Sequence, residues 1–167
     1  AGGGSVTSVG VDVTDRTQVR AMVQKAVDTF GELNVIFNNA GMNRPRDFME
    51  VDEENFDEIV RVNTWGVIVC TQEAARQMIA QGSGGKIVNT GSIASRQGYW
   101  EFVPYCVAKF GVLAVTQATA RGLIEHGITV NAFAPGVVDT PMWVGLNEDI
   151  RAIHGQPDEA DPMREFA

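Results

Sequence analysis

The sequence predicts an α/β protein in three layers, helix on sheet on helix, around a parallel sheet. Three observations carry that prediction. Short apolar bursts alternate along the chain with stretches of helical spacing. The bursts are apolar throughout, as strands covered on both faces are. Each burst runs into small or hydrogen-bonding residues, and in parallel sheets ligands bind just beyond the carboxyl ends of the strands.

The elements follow in order. Residues 5–11, SVTSVGV, alternate and end in valine, which predicts a strand. Asp15 is placed to cap a helix in which Val19, Met22, Val23, Ala26, Val27 and Phe30 recur at helical spacing, and Gly31 stops it. Leu33 to Phe37 is a strand without alternation, hence covered on both faces. A loop with Pro45 leads to a long helix that Asp52 caps, with Val51 and Phe56 at the offsets of a hydrophobic staple. It runs to about Ala80 and breaks at GSGG. That stretch is a turn and not a phosphate loop, because Ala80 stands where the first glycine of such a loop belongs. KIVNT is the next buried strand and SIASRQGYWEF a loop. Pro104 sits near the start of a third helix that reaches about Glu125 and ends by Gly127. ITVNAFAP is a strand, GVVDTPMWVGL an irregular loop, and residues 147–167 give only weak helical signals.

The bulk properties exclude several classes. A chain of 167 residues with 44% hydrophobic content supports one domain with a real core. A formal net charge of −8 argues against nucleic acid as a partner. Part of that charge lies in the tail, at Glu148, Asp149, Asp158, Glu159, Asp161 and Glu165, read as a solvated face or a mobile end. Cys70 and Cys106 fall in apolar helical runs and read as buried small hydrophobes in a reducing, cytoplasmic compartment. His126, near a helix C-terminus, and His154 are too isolated to suggest a metal site. No apolar run of membrane-spanning length and no signal peptide is read, so no membrane partner is expected.

The strand ends carry Asp12-Val13-Thr14, Asn38-Asn39-Ala40-Gly41, Thr90-Gly91-Ser92, and Pro135-Gly136 with Thr140 four further on. Any one of these is ordinary turn chemistry. Together they put small residues along one edge of the sheet, where a ligand approaches the backbone closely. VPYCVAKFG adds Tyr105 and Lys109, neighbours one turn apart on a helix. A single Tyr-x-x-x-Lys match arises by chance in many proteins.

The ordered set Asn-Asn-Ala-Gly, Asn63, Ser92, Tyr105-x-x-x-Lys109, Pro135-Gly136 and Thr140 resembles the short-chain dehydrogenase/reductase family over nearly all of residues 5–145, with Ser92 thirteen before Tyr105. The resemblance implies a Rossmann-like, doubly wound parallel sheet, NAD or NADP as cofactor with the preference undecided, and a small-molecule alcohol or ketone as substrate. It implies that Asn63, Ser92, Tyr105 and Lys109 are catalytic. Tyr105 passes a proton to or from the substrate oxygen, Ser92 Oγ holds that oxygen, Asn63 carries a relay water, and Lys109 also donates to the cofactor ribose. It places Asp12 and Val13 at the adenine and Asn39, Ala40 and Gly41 beside ribose and phosphate. Pro135, Gly136, Val138 and Thr140 come at the nicotinamide end. The side chains alone give the acid–base argument. A phenol near pKa 10 is a poor acid or base at neutral pH. An ammonium at about 4 Å, at an effective dielectric near 20, favours the phenolate by up to roughly 4 kcal/mol before desolvation.

The chain departs from the family in lacking its glycine-rich turn, Thr-Gly-x-x-x-Gly-x-Gly, since Ala1-Gly2-Gly3-Gly4 does not match. The family's second strand and its last strand are also missing. Residues 1–167 therefore read as a single, truncated dinucleotide-binding and catalytic domain with an incomplete sheet. In the strand order 3-2-1-4-5-6, residues 5–11 and 33–37 are not neighbours. Three explanations stand: a piece of a longer protein, which is preferred, a fold in which those two strands pair directly, or a partner that fills the gap. Cofactor binding by these residues alone is expected to be weak.

Tyr99, Trp100, Met142 and Trp143 flank the expected site, as a cleft wall or as surface packing. ITVNAFAPG and APGVVDTPMW resemble the branch that handles sugar alcohols and small diols or acetoin, a pattern shared by reductases of 3-oxoacyl thioesters. The expected substrate is a polyol or small secondary alcohol. The alternative is a catalytically inactive fragment acting as an oligomerisation scaffold through the helices at 52–80 and 104–125, which this family packs between subunits of a dimer or tetramer.

Overall fold

A computed structural model describes residues 4–166; the Ala1–Gly3 part of the glycine mismatch lies outside the described residues. Three parallel strands, β1 (Val35–Asn38), β2 (Gly85–Thr90) and β3 (Ile128–Phe133), form a sheet in the order β1-β2-β3. The helices are α1 (Arg16–Phe30), α2 (Glu53–Val60), α3 (Gly66–Gln81), α4 (Val103–Leu123), α5 (Met142–His154) and α6 (Pro162–Phe166).

Caps explain the helix starts. Asp15 accepts from the amides of Thr17 and Gln18, and Asp52 from that of Asn55. Gly31, Gly82 and Gly127 take positive φ and close their helical turns. GSGG is the expected turn. At Gly84 a side chain is impossible on two counts, a φ of +73° and a Cβ that would meet the Gly127 carbonyl at 2.6 Å.

One face of the sheet carries the core. Ile36, Ile87 and Val130 stand in register across the three strands, and Val19, Val69, Ala74 and Met78 pack over them. A polar ladder crosses the same face. Asn38 Nδ2 donates to Thr71 on α3 and to Asn89, and Asn89 Nδ2 donates to Thr116 on α4. Each of these buried groups is hydrogen-bonded, so the ladder fixes both helices against the strand ends without a desolvation penalty left open.

Several expectations are corrected. Residues 5–11 form no strand. Among the described residues no strand pairs with them, and Val6 is 93% exposed. The direct pairing of that segment with β1 is therefore absent. β1 is covered on one face only, with Val35 52% and Phe37 53% exposed on the other. The long second helix is interrupted by a π-turn at Arg61–Trp65, which divides α2 from α3. The 93–102 loop contains two 3₁₀ turns, Ile93–Ser95 and Trp100–Phe102. The GVVDTPMWVGL segment turns helical at Met142, because burying Leu146 and Ile150 outweighs the poor propensity of Gly145. Of the acidic tail, Glu148 and Asp149 lie on α5, Asp158 and Glu159 are exposed between the last two helices, and Asp161, just before α6, bonds Asn147 and Arg164. Residues Trp100–His126 are long and apolar enough to span a membrane, contrary to expectation; one face of that helix packs on β3 and buries Lys109.

Candidate functional site

The carboxyl ends of all three strands open into one cleft of about 600 Å³. Its floor is Asn39–Gly41 after β1, Thr90–Ser92 after β2, and Pro135–Val138 with Thr140 after β3. The ends are tied together: Gly91 N–H donates to Phe133 O at 2.8 Å and Ile93 N–H to Pro135 O at 3.0 Å. Gly91 is required by that approach, since a Cβ there would lie 2.9 Å from Phe133 O.

Ser92 is oriented by the turn it starts. Its Oγ accepts from the Ala94 amide at 3.1 Å while its own amide donates to Ser95 Oγ at 3.0 Å, a capping box. The Ser92 side chain is hydrogen-bonded to Tyr105. Tyr105 and Lys109 project from the first two turns of α4, where Pro104 occupies a position that needs no amide donor. Lys109 is 4% exposed, donates from Nζ to Thr90 O at 2.8 Å, and lies 5.4 Å from the centroid of the Tyr105 ring.

The electrostatics differ from the expectation that Lys109 makes the phenol acidic. Burial pushes Tyr105 above its ordinary pKa, and the Ser92 hydrogen bond opposes that only in part. Burial also lowers Lys109, to about 8. Desolvation prevails at both groups.

Asn63 lies in the π-turn and is 1% exposed. Its Nδ2 donates to Met42 O at 2.7 Å and Ile59 O at 2.9 Å, and its Oδ1 accepts from Met42 N–H at 3.3 Å. Both amide hydrogens are used, so the side chain clamps the 40–43 loop. Gly41 meets this clamp: a Cβ there would stand 2.7 Å from Asn63 Oδ1 and 3.8 Å from Lys109 Nζ.

The structure thus brings Asn39, Ala40, Gly41, Asn63, Ser92, Tyr105, Lys109, Pro135, Gly136, Val138 and Thr140 to one cleft. Asp12 and Val13 lie outside its wall: Asp12 accepts from the Thr14 amide, and Val13 packs on Gly66. Of the four flanking residues, Tyr99, Met142 and Trp143 line the cleft with Phe102 and Leu146, whereas Trp100 stacks on His154 outside it. Phe102 and Leu146 carry no sequence signal beyond being apolar, and Gly91 was visible only as part of a turn. Among the described residues no His, Cys, Asp and Glu cluster suits a metal ion.

A parallel sheet flanked by helices, with its strand ends, a capped serine and a Tyr–Lys helix meeting at one cleft, defines a Rossmann-like α/β fold. The sequence profile described as short chain dehydrogenase matches residues 1–151, and the chain belongs to that family. It is 39% identical over 149 residues to the L-2,3-butanediol dehydrogenase of Corynebacterium glutamicum, covering 89% of this chain and 58% of that one. It is 36% identical to a 3-oxoacyl-[acyl-carrier-protein] reductase of Staphylococcus aureus, over 86% of this chain and 58% of that one. The crystal structure of sorbitol-6-phosphate 2-dehydrogenase from Erwinia amylovora superposes with a TM-score of 0.81 at 30% identity, over 87% of this chain and 57% of that one. The chain therefore spans somewhat more than half the length of these relatives.

Proposed function

We propose that the protein transfers hydride between a nicotinamide dinucleotide and a small, uncharged secondary alcohol or ketone, with Tyr105 exchanging the proton. The observation that carries the reading is the convergence of Tyr105, Ser92 and Lys109 on one wall of the cleft. The residues present fit the ribose–nicotinamide half of the cofactor. Gly41 leaves a cradle beside Lys109 that any side chain would fill, and the buried ammonium has three hydrogens with a single hydrogen bond to Thr90 O. Lys109 and the Asn39–Gly41 backbone would hold the ribose, and Pro135–Thr140 the nicotinamide end; Asp12 and Val13 remain assigned to the adenine by family resemblance alone. When bound, the cofactor supplies or takes up hydride at the substrate carbon.

The chain's own residues do the rest. Ser92 Oγ steadies the substrate oxygen as charge develops on it. Tyr105, kept protonated by its burial, donates to that oxygen during reduction and accepts from it during oxidation. Asn63 holds the 40–43 loop in place.

The substrate class follows from the wall. Among the described residues Lys109 is the one charged residue that lines the cleft, and the substrate half is built of Met42, Ile93, Tyr99, Phe102, Trp143 and Leu146. Such a wall has no counter-ion for a phosphate or carboxylate and few partners for the many hydroxyls of a polyol. A short hydroxyketone, diketone or diol fits it better than a sugar phosphate. A 3-oxoacyl thioester is the second candidate, since its acyl end is apolar. The chain itself would self-associate through apolar residues left exposed on α2–α4, among them Trp65, Val107 and Phe110.

Turnover of NADH and of NADPH with diacetyl, sorbitol, sorbitol 6-phosphate and a 3-oxoacyl thioester tests the reading. Diacetyl is expected to be reduced fastest. Fluorescence titration with either reduced cofactor, silent beside a dimer in light scattering, would instead favour the scaffold.

A further inference from the structure

Helix α5 closes the substrate half of the cleft, and its last residue carries a side-chain tie to the body of the domain. Thr140, Met142, Trp143 and Leu146 at its start line the cleft. Its buried residues, Leu146 and Ile150, join Ala94, Phe102 and Cys106 beneath Tyr99, Tyr105 and Trp143. In the strap before it, Ile93 N–H donates to Pro135 O, and among the described residues no hydrogen bond is made by Gly136–Asp139. At the other end His154 Nε2 lies 2.9 Å from Glu101 Oε1, and the His154 ring stacks on Trp100 with centroids 5.2 Å apart and planes 13° apart. Glu101 is a buried carboxyl, and its backbone carbonyl accepts from the Arg46 amide. It sits in the 3₁₀ turn from which α4 starts, four residues before Tyr105.

We propose that Glu101 and His154 form a positioning clasp that holds α5 shut over the substrate. The clasp joins the far end of the lid to the turn that sets the start of the catalytic helix. It therefore fixes the gap between Trp143 and Leu146 on one side and Tyr105 on the other. Neither residue touches the reacting atoms; both act through α5. The effect on substrate rests on the function proposed above, whereas the effect on α5 does not. Without His154, the buried Glu101 carboxyl loses its side-chain partner and the end of α5 loses this tie to the start of α4.

Hydrogen–deuterium exchange of the whole chain, read by mass spectrometry on peptides from α5 and from α3, tests the clasp in His154→Ala, Glu101→Gln and the conservative His154→Gln. Expected is about tenfold faster exchange in α5 for His154→Ala, the worth of one hydrogen bond to a charged group, with α3 unchanged and a partial return in His154→Gln. With diacetyl as the probe, KM should rise about tenfold while kcat and the cofactor KM hold. Unchanged α5 exchange, or equal loosening of α3, overturns the clasp. Loosening of α5 in a protein that reduces no carbonyl upholds the clasp and removes the enzymatic reading.

Discussion

Lys109 and Tyr105 share one face of α4, but Lys109 Nζ donates to Thr90 O at 2.8 Å and stands 5.4 Å from the Tyr105 ring centroid. In this geometry the ammonium does not offset the cost of burying a phenolate. The phenol stays above its ordinary pKa, which in the proposed reaction favours its role as an acid. Ketone reduction is accordingly expected to hold its rate from pH 6 to 8, while alcohol oxidation, which needs the phenolate, rises steadily with pH. Initial rates in both directions across that range check this.

The same burial makes Lys109 a measurable cost to stability. Its pKa is 10.5 unfolded and about 8 folded. Below pH 8 both states are charged and the cost is full, about 3 kcal/mol at roughly 1.4 kcal/mol per tenfold in proton affinity. Between about 8 and 10.5 only the unfolded chain holds the proton, so this contribution to stability rises with pH. Urea denaturation at pH 7 and pH 10 should show that rise in the wild type relative to Lys109→Met.

Gly41→Ala should be expensive for its size. Its Cβ would stand 2.7 Å from Asn63 Oδ1, and Asn63 is held by three hydrogen bonds to Met42 and Ile59. Overpacking of that kind costs about 1–3 kcal/mol. A lower Tm together with weakened cofactor binding is expected; Ala at Gly98, where the added Cβ meets nothing, serves as the control.

Glu73 on α3 ties α1 through Arg16 and Arg20 at 2.6 and 3.0 Å, and pairs with Arg76 of its own helix at 2.5 Å. Desolvation would raise its pKa, but the hydrogen bonds from Arg20 and Arg16 outweigh it and hold the carboxyl below its usual range. A depressed acid stabilises above its unfolded pKa, near 4.5, and loses that contribution as pH falls through the lower folded value. Glu73→Gln should lose about 1–3 kcal/mol at pH 7, and the gap from wild type should close in acid. Thermal unfolding between pH 3 and 7 reads it.

Much of this was legible in the sequence, for physical reasons. Asp15 and Asp52 announce helices because caps are local chemistry. The apolar bursts found all three strands because burial on the core face demands Ile36, Ile87 and Val130. Three of the four expected strand ends meet along one edge because parallel topology puts them there, whereas Asp12-Val13-Thr14 follows no strand and lies outside the cleft. What was missed depends on neighbours. SVTSVGV has strand chemistry but no strand beside it. The π-turn at Asn63 is set by the loop it clamps, and α5 by the cleft wall it covers. The sign of the Tyr105 shift is set by burial, which residue spacing does not encode.

The central claim is that Tyr105 is the proton donor of a carbonyl-reducing site. Tyr105→Phe removes one oxygen and leaves the ring packed against Phe102. The most direct measurement is the rate of diacetyl reduction by wild type and by Tyr105→Phe at saturating NADH or NADPH, with cofactor affinity read by fluorescence. The account predicts a fall of about 10² to 10⁴-fold with cofactor affinity retained. A variant that reduces diacetyl at the wild-type rate would contradict it.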